Sequence, residues 1–337
     1  MPDPRFFEDL GPIALADLAE AAGATLADPA AGGRMVGAVS ILAGAGPDTV
    51  TFVSDRKLLA ELVQTKAGAC FLSAKHADQA PGGCAALLTE TPQRAYALAA
   101  QRLHRPRTAG REAIAATAEL EEGVQLAPGA CVGPAAQIGR GTRFGANAVI
   151  GPGVTIGRDC DIGANASIAF ALVGDRVKVL AGARIGEAGF GATAGEKGLI
   201  DIPQLGRVIL QDGVTVGANS CIDRGAFDDT VVGENTKIDN LVQIGHNSRI
   251  GRNCAMAAFT GISGSVDVGD GVQFGGRSGV ADHLTVGAGA RIAAASGVMQ
   301  NVPAGETWGG SPARPIRQWM REMVWLSRAS GRKGDDA

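Results

Sequence analysis

Large apolar residues recur at every sixth position through the middle of the chain, a spacing that fits neither an amphipathic helix nor an alternating strand. One series runs Leu126, Val132, Ile138, Phe144, Ile150, Ile156, Ile162 and Ile168. A short one follows at Leu210, Val216 and Ile222. A third runs unbroken from Val232 through Ile238, Ile244, Ile250, Met256, Ile262, Val268, Phe274, Val280, Val286 and Ile292 to Val298. Gly, Ala or Ser usually comes next. This hexad repeat predicts a parallel β-helix, in which one apolar side chain per hexad points into a triangular prism and three hexads make a coil. The visible hexads suffice for roughly eight coils, each stabilised by its neighbours and stacked at ~4.8 Å. The period is lost from about Gly186 to Gly206, and four extra residues separate Ile222 from Val232. Insertions into a solenoid leave it as loops, often on the working face.

The flanks have a different texture, which divides the chain into residues 1–115, 116–303 and 304–337. Helical spacing over Ile13 to Ala22 ends at Gly23, while Val36 to Leu42 and Thr49 to Val53 predict strands. Asp55 is placed to cap a helix carrying Leu58, Leu59, Leu62 and Val63, and Thr91-Pro92 opens another reaching about Arg102. A small α/β domain therefore precedes the prism, joined to it by the polar stretch from Arg105 to Glu112. After Val298, a loop from Pro303 to Pro315 leads into a helix from Ile316 to about Ser327. Ile316, Trp319, Met320 and Met323 share one face of that helix, and Arg317, Arg321 and Arg328 another. Residues 312–333 hold six basic residues and one acidic. A solvated capping helix accounts for this, and so does a dock for an acidic protein, since a positive patch speeds encounter with a negative partner.

Composition adds exclusions. The 50 glycines, in a chain only 4% aromatic, fit many regularly spaced tight turns. A net charge of −3 gives no global field for nucleic acid. The six cysteines form no CxxC pair and are expected to be reduced and mostly buried. With no charged leader, signal-like core or bilayer-length apolar run, the expected compartment is the cytoplasm, with no integral membrane segment.

Of the four histidines, His246 and His283 lie in the prism at positions that are not inward. Two are too few for a three-histidine zinc site, so no metal is expected. Here motifs decide. Ile185-Gly186-Glu187-Ala188-Gly189-Phe190-Gly191, Ile202-Pro203-Gln204-Leu205-Gly206-Arg207-Val208, Ile222-Asp223-Arg224-Gly225-Ala226-Phe227-Asp228-Asp229-Thr230, and the run from Ile238-Asp239-Asn240 to Gln243-Ile244-Gly245-His246-Asn247 occur in that order. Together they resemble the UDP-3-O-acylglucosamine N-acyltransferases of lipid A biosynthesis, and the likeness covers most of the chain.

The resemblance implies a left-handed parallel β-helix with an N-terminal α/β domain and a C-terminal helical extension, assembled as a homotrimer. Parallel crossovers are normally right-handed, so the hand comes from the resemblance alone. It further implies transfer of a 3-hydroxyacyl group to the 2-amine of a UDP-sugar. His246 is then the general base, a task suited to a neutral imidazole. Asp239, seven residues earlier, is either a partner that orients or polarises the ring or a corner residue of the β-helix; the amide near Gly264 is implied to stabilise the oxyanion. His283 and Asn240 are implied to bind substrate. Phe52 and Asp55, in Val50-Thr51-Phe52-Val53-Ser54-Asp55, match the uridine-binding segment, where Phe52 would stack on uracil. No cofactor is implied, because the acyl donor rides on the phosphopantetheine of acyl carrier protein, with Arg314, Arg317 and Arg321 as the dock. The acyl chain is expected in an apolar groove between subunits, with small residues Ala293 to Gly297 near its floor. Two departures from the family pattern are Leu58, where a tyrosine is usual, and Ala192, where an aromatic often follows Gly-Phe-Gly. Two other functions compete. A UDP-N-acetylglucosamine O-acyltransferase would have its prism begin near the N-terminus, and a non-catalytic β-helix scaffold would not depend on His246.

Overall fold

The computed structural model describes residues 2–195, 197–310 and 315–330. Arg314, one of the three arginines expected to dock the carrier protein, lies outside these residues.

The hexads fold as their spacing demands. Nearly all contribute a two- or three-residue strand whose second or third residue is the buried apolar one, as in Gln137–Ile138, Thr155–Ile156 and Lys237–Ile238. The strands stack in parallel into three sheets of nine, ten and nine strands. The first face runs from Glu119–Leu120 to Thr285–Val286, the second from Gln125–Leu126 to Thr307–Trp308, the third from Cys131–Val132 to Gly297–Val298. In-register ladders such as Ile138 on Ile156 carry one inward column per face. Ile138, Ile156, Ile168, Val216, Ile244, Ile262 and Val286 are all at most 2% exposed, so the core is continuous along the axis.

The prism is longer than the hexad count suggests, in three places. Val173, Val179 and Ile185 continue the first series inward, at 5%, 0% and 1% exposure. A five-residue step from Ile168 to Val173 hides them from a strict period of six. The shortened turn holds Phe170 at φ 47°, a left-handed conformation that an aromatic residue rarely adopts. Upstream, Ile114 bridges to Val132, and downstream Thr307–Trp308 pairs with Arg291–Ile292.

Corners are turned by residues with positive φ. Asn occupies many of them, including Asn147, Asn165, Asn219, Asn235, Asn247 and Asn253, because its short carboxamide tolerates the left-handed region.

The N-terminal domain carries a five-stranded sheet ordered Thr25–Leu26, Ala85–Leu88, Ala69–Leu72, Thr49–Phe52, Ala38–Val39. Helix α1, Leu15–Ala22, buries Leu15 and Leu18 and stops at Gly23, whose φ of 66° and bonds to the Ala19 and Glu20 carbonyls form a C-cap. A short α2, Leu59–Leu62, follows the turn Arg56–Leu58. Helix α3, Pro92–Leu103, opens on proline, as predicted, and buries Tyr96, Ala99 and Leu103. Phe6 and Phe7, at 1% and 2% exposure, pack their rings against Phe170, at centroid distances of 5.8 and 5.2 Å, and so tie the N-terminal segment to the prism.

The C-terminal helix α4, Ile316–Ser330, has no buried residue, and Ile316, Trp319, Met320 and Trp325 are exposed. No helix among the described residues is long and apolar enough to cross a membrane. The cysteines are free, with Cys70, Cys84, Cys160 and Cys254 buried and Cys131 and Cys221 half-buried.

Candidate active site

The hexad insertion returns to the prism beside His246. That residue stands at the corner between the third-face strand Gln243–Ile244 and the first-face strand Arg249–Ile250. Backbone presses on its ring at two points. A Cβ added at Gly189, in the insertion, would lie 2.6 Å from His246 Cβ. One added at Gly264, a coil further on, would lie 2.7 Å from both Cε1 and Nε2. Glycine at each position is therefore a steric requirement of the imidazole.

The ring's protonation follows from its neighbour. His246 Nδ1 lies 3.0 Å from Asn247 Oδ1, which also accepts from Ala226 N–H at 2.9 Å. The Ala226 bond identifies that atom as the carboxamide oxygen, so Nδ1 donates, and in the neutral ring Nε2 keeps its lone pair. Thr230 Oγ1 fixes Asn247 in turn by accepting its N–H at 2.9 Å.

Nε2 therefore lies beside the Gly264 backbone. At the same hexad position on the prism's other two corners a side chain can take the outward amide: Arg252 N–H is held by Asp270 at 2.7 Å and Ala218 N–H by Asn240 at 2.7 Å. None of the described residues accepts from Gly264 N–H. A basic nitrogen and a free backbone donor side by side are what acyl transfer through a tetrahedral intermediate requires.

Around them opens a cleft of about 1230 Å³ whose walls include Gly189, Asp223, His246, Gly264 and His283. A second cleft of about 790 Å³ shares His246, His283, Phe190 and Gln204 and reaches Phe52 in the N-terminal domain. His283, exposed at a corner with φ 57°, donates its N–H to the Gly264 carbonyl at 3.2 Å. Phe52 is half-buried, its ring centroid 4.7 Å from that of Tyr96, which meets Phe227 edge-on at 5.3 Å. Phe52 thus both packs and lines the cleft.

Two charged residues that sequence reasoning had quoted without a role hold the site together. Arg224 is buried, donates from Nε to the Gln204 carbonyl and from Nη1 to the Gly186 carbonyl, each at 2.8 Å, and lies 4.1 Å over the Phe170 ring. It closes the neck of the insertion. Burial lowers its pKa to about 10, against the pull of Glu187 and Asp223. Asp223 accepts from Gln243 Nε2 at 2.8 Å, and burial pushes its carboxyl up despite that bond and the nearby His246. Arg224 reaches back across the insertion and Asp223 forward to the next coil, so no local pattern announces them.

Other expected residues fall elsewhere. Asp239 does not reach His246 within the chain. Seven residues carry the chain around one corner of the prism, so the two stand on different faces, and Asp239 accepts instead from Asn240 N–H at 2.8 Å and Ala258 N–H at 3.2 Å. Within the chain the ring's hydrogen-bond partner is Asn247. Asn240 lies with Asp239 in a separate depression of about 710 Å³ on the second face, which also includes Ala293. Asp55 is exposed and caps the Arg56–Leu58 turn by accepting from Lys57 N–H at 2.9 Å, away from both clefts. Leu58 packs on the small core around Leu62 and Val53. Among the described residues no three His, Cys, Asp or Glu side chains converge for a metal ion.

A parallel β-helix whose corner imidazole is paired with a free backbone amide defines a hexapeptide-repeat acyltransferase. Residues 135–170 and 229–264 match the bacterial transferase hexapeptide family, and residues 34–102 match the UDP-3-O-(3-hydroxymyristoyl) glucosamine N-acyltransferase family. The chain is 63% identical over 335 residues to a UDP-3-O-acylglucosamine N-acyltransferase of Caulobacter sp. (strain K31), covering 99% of this chain and 98% of that one. A protein of the same name from Methylobacterium sp. (strain 4-46) is 47% identical over 351 residues, covering 99% and 98%. Among solved structures, a UDP-N-acetylglucosamine acyltransferase from Campylobacter jejuni matches 66% of this chain and 86% of its own at 26% identity, with a TM-score of 0.47. The chain belongs to the UDP-3-O-acylglucosamine N-acyltransferases.

Proposed function

We propose that the chain moves a 3-hydroxyacyl group from acyl carrier protein to the 2-amine of UDP-3-O-(3-hydroxyacyl)-glucosamine, in lipid A biosynthesis, with His246 as general base. The observation that carries this reading is the fixed tautomer of His246. With Nδ1 committed to Asn247, Nε2 takes a proton from the amine as its nitrogen attacks the thioester carbonyl carbon. The carbonyl oxygen gathers charge and accepts from Gly264 N–H. Collapse breaks the carbon–sulfur bond, and the imidazolium returns its proton to the departing phosphopantetheine thiolate. The products are an amide and free carrier protein. A thioester is reactive enough to need no cysteine nucleophile and no cofactor beyond the donor's own phosphopantetheine.

The incoming acyl chain lies along the third face. Beyond Gln243 the outward column of that face is Gly261, Gly279 and Gly297, in register across three coils, which leaves a side-chain-free track of about 10 Å between its ends. In a homotrimer a neighbouring subunit covers this track and brings its second face, with Asp239 and Asn240, toward His246. The sugar nucleotide spans the two clefts, its uracil toward Phe52. The test is product analysis with purified protein and 3-hydroxyacyl carrier protein. Amide formation on UDP-3-O-acyl-glucosamine, with no ester formed on UDP-N-acetylglucosamine, is the expected result. The opposite pattern would make the chain an O-acyltransferase.

A further inference from the structure

Gln204 sits in the returning limb of the insertion, only 4% exposed, and lines both clefts where they meet. Its orientation is set from two directions. Nε2 donates to the Ile202 carbonyl at 3.0 Å, and Arg224 Nε holds the residue's own carbonyl at 2.8 Å. Because Nε2 is committed to a carbonyl, the other carboxamide atom must be the oxygen. That oxygen, Oε1, is buried and accepts from no donor among the described residues. Gly191 leaves room for this arrangement, since a Cβ there would lie 2.8 Å from Nε2. Thr51, Tyr96 and Ser167 also bear buried hydroxyls without a partner, but a hydroxyl can rotate and can donate. Gln204 Oε1 can only accept. A native fold rarely keeps such an atom unpaired without a functional reason, and at a cleft wall a ligand donor is one.

From this we infer that Gln204 is a specificity-determining residue that accepts a hydrogen bond from a free ring hydroxyl of the acceptor sugar. The inference rests on the acceptor proposed above and is reached by elimination over the donors of its sugar ring, the part of the molecule nearest the reacting amine. A molecule reaching from His246 to Phe52 passes its sugar through the junction where Gln204 lies. On that sugar O1 carries the diphosphate and O3 the acyl group, and the 2-amine faces His246. The 4-hydroxyl and the 6-hydroxyl are the ring donors that remain. A buried, pre-oriented acceptor discriminates strongly, because an analogue lacking the hydroxyl leaves Oε1 desolvated and unpaired.

The experiment is a two-by-two comparison of kcat/KM at saturating 3-hydroxyacyl carrier protein, with wild type and Gln204→Leu against the full acceptor and its 4-deoxy and 6-deoxy analogues. For wild type, one analogue should lose about 10- to 100-fold. Gln204→Leu should lose a similar factor on the full acceptor and lose little more on that analogue. Multiplying losses for both analogues, or full activity of wild type on both, would overturn the assignment. The wild-type analogue series needs no folded variant, and a thermal melt of Gln204→Leu separates lost recognition from lost structure. If wild type forms no amide on the full acceptor, the proposed function fails first, and that failure is seen before any analogue is compared.

Discussion

Asn247 shows how one residue type serves two purposes in this fold. Like Asn147, Asn165 and Asn235 it turns a corner at positive φ, 61° here, and in the sequence it looks no different from them. Only in three dimensions does its carboxamide oxygen join the Ala226 amide to the His246 ring. The motif around His246 was legible; that the adjacent Asn247 holds Nδ1 within the chain was not, because its other partner, Ala226, is distant in sequence. Seven residues of helix would have put Asp239 on the same face as His246, whereas seven residues of β-helix put it around the corner. Gly264 makes the site's steric demand testable. Gly264→Ala places a methyl 2.7 Å from Nε2, a distance that real side chains do not tolerate, so the ring must move off the attack line. kcat should fall by about a hundredfold or more, the scale of a lost oxyanion donor or base, with the thermal unfolding transition little changed. Activity within a few-fold of wild type would mean that the ring position is not critical.

The elements were the easiest part to read from the chain. A hexad leaves one side chain inward per face, so apolar residues at that spacing report the core directly, and every inward position from Val232 to Val298 is buried. What broke the reading was a single missing residue at Phe170, which hid Val173, Val179 and Ile185. The N-terminal segment was harder still, because its contacts are distant in sequence. Arg207, at the end of the insertion, donates to Asp3 at 2.8 Å and to both oxygens of Asp229 at 2.8 Å. Burial alone would raise the Asp3 carboxyl, but hydrogen bonds from Arg5 and Arg207 outweigh it and bring its pKa down to about 2. A carboxyl depressed on folding stabilises the native state above the unfolded value, near ~3.9, and that contribution disappears as pH falls toward 2. Asp3→Asn should therefore lose roughly 1–3 kcal/mol near neutral pH. In urea titrations the gap to wild type should close between about pH 4 and pH 2. A gap independent of pH would show that the clamp acts through packing alone.

At the scale of the whole molecule the sequence pointed outward and the isolated chain leaves the connection open. Helix α4 buries nothing of its own, and Arg317 and Arg321 are exposed along it. A surface of this kind suits an acidic carrier protein delivering its prosthetic group to the cleft. Arg317→Glu with Arg321→Glu should raise KM for the carrier-linked donor by about tenfold while leaving kcat near wild type. The same variant should use an acyl-pantetheine thioester as well as wild type does. An unchanged KM for the carrier-linked donor would remove the dock from the helix. A closed prism satisfies its own backbone, so the hexads carry no trace of what could lie against them.

The proposed chemistry turns on one nitrogen, His246 Nε2. The most direct measurement is amide formation from 3-hydroxyacyl carrier protein and UDP-3-O-acyl-glucosamine by wild type and His246→Ala, under conditions where chemistry limits the rate. A fall in kcat of about a hundredfold or more, with the acceptor KM changed little, is the result predicted for loss of the general base. Undiminished turnover by the variant would contradict the account, leaving the reaction to some other group in the cleft.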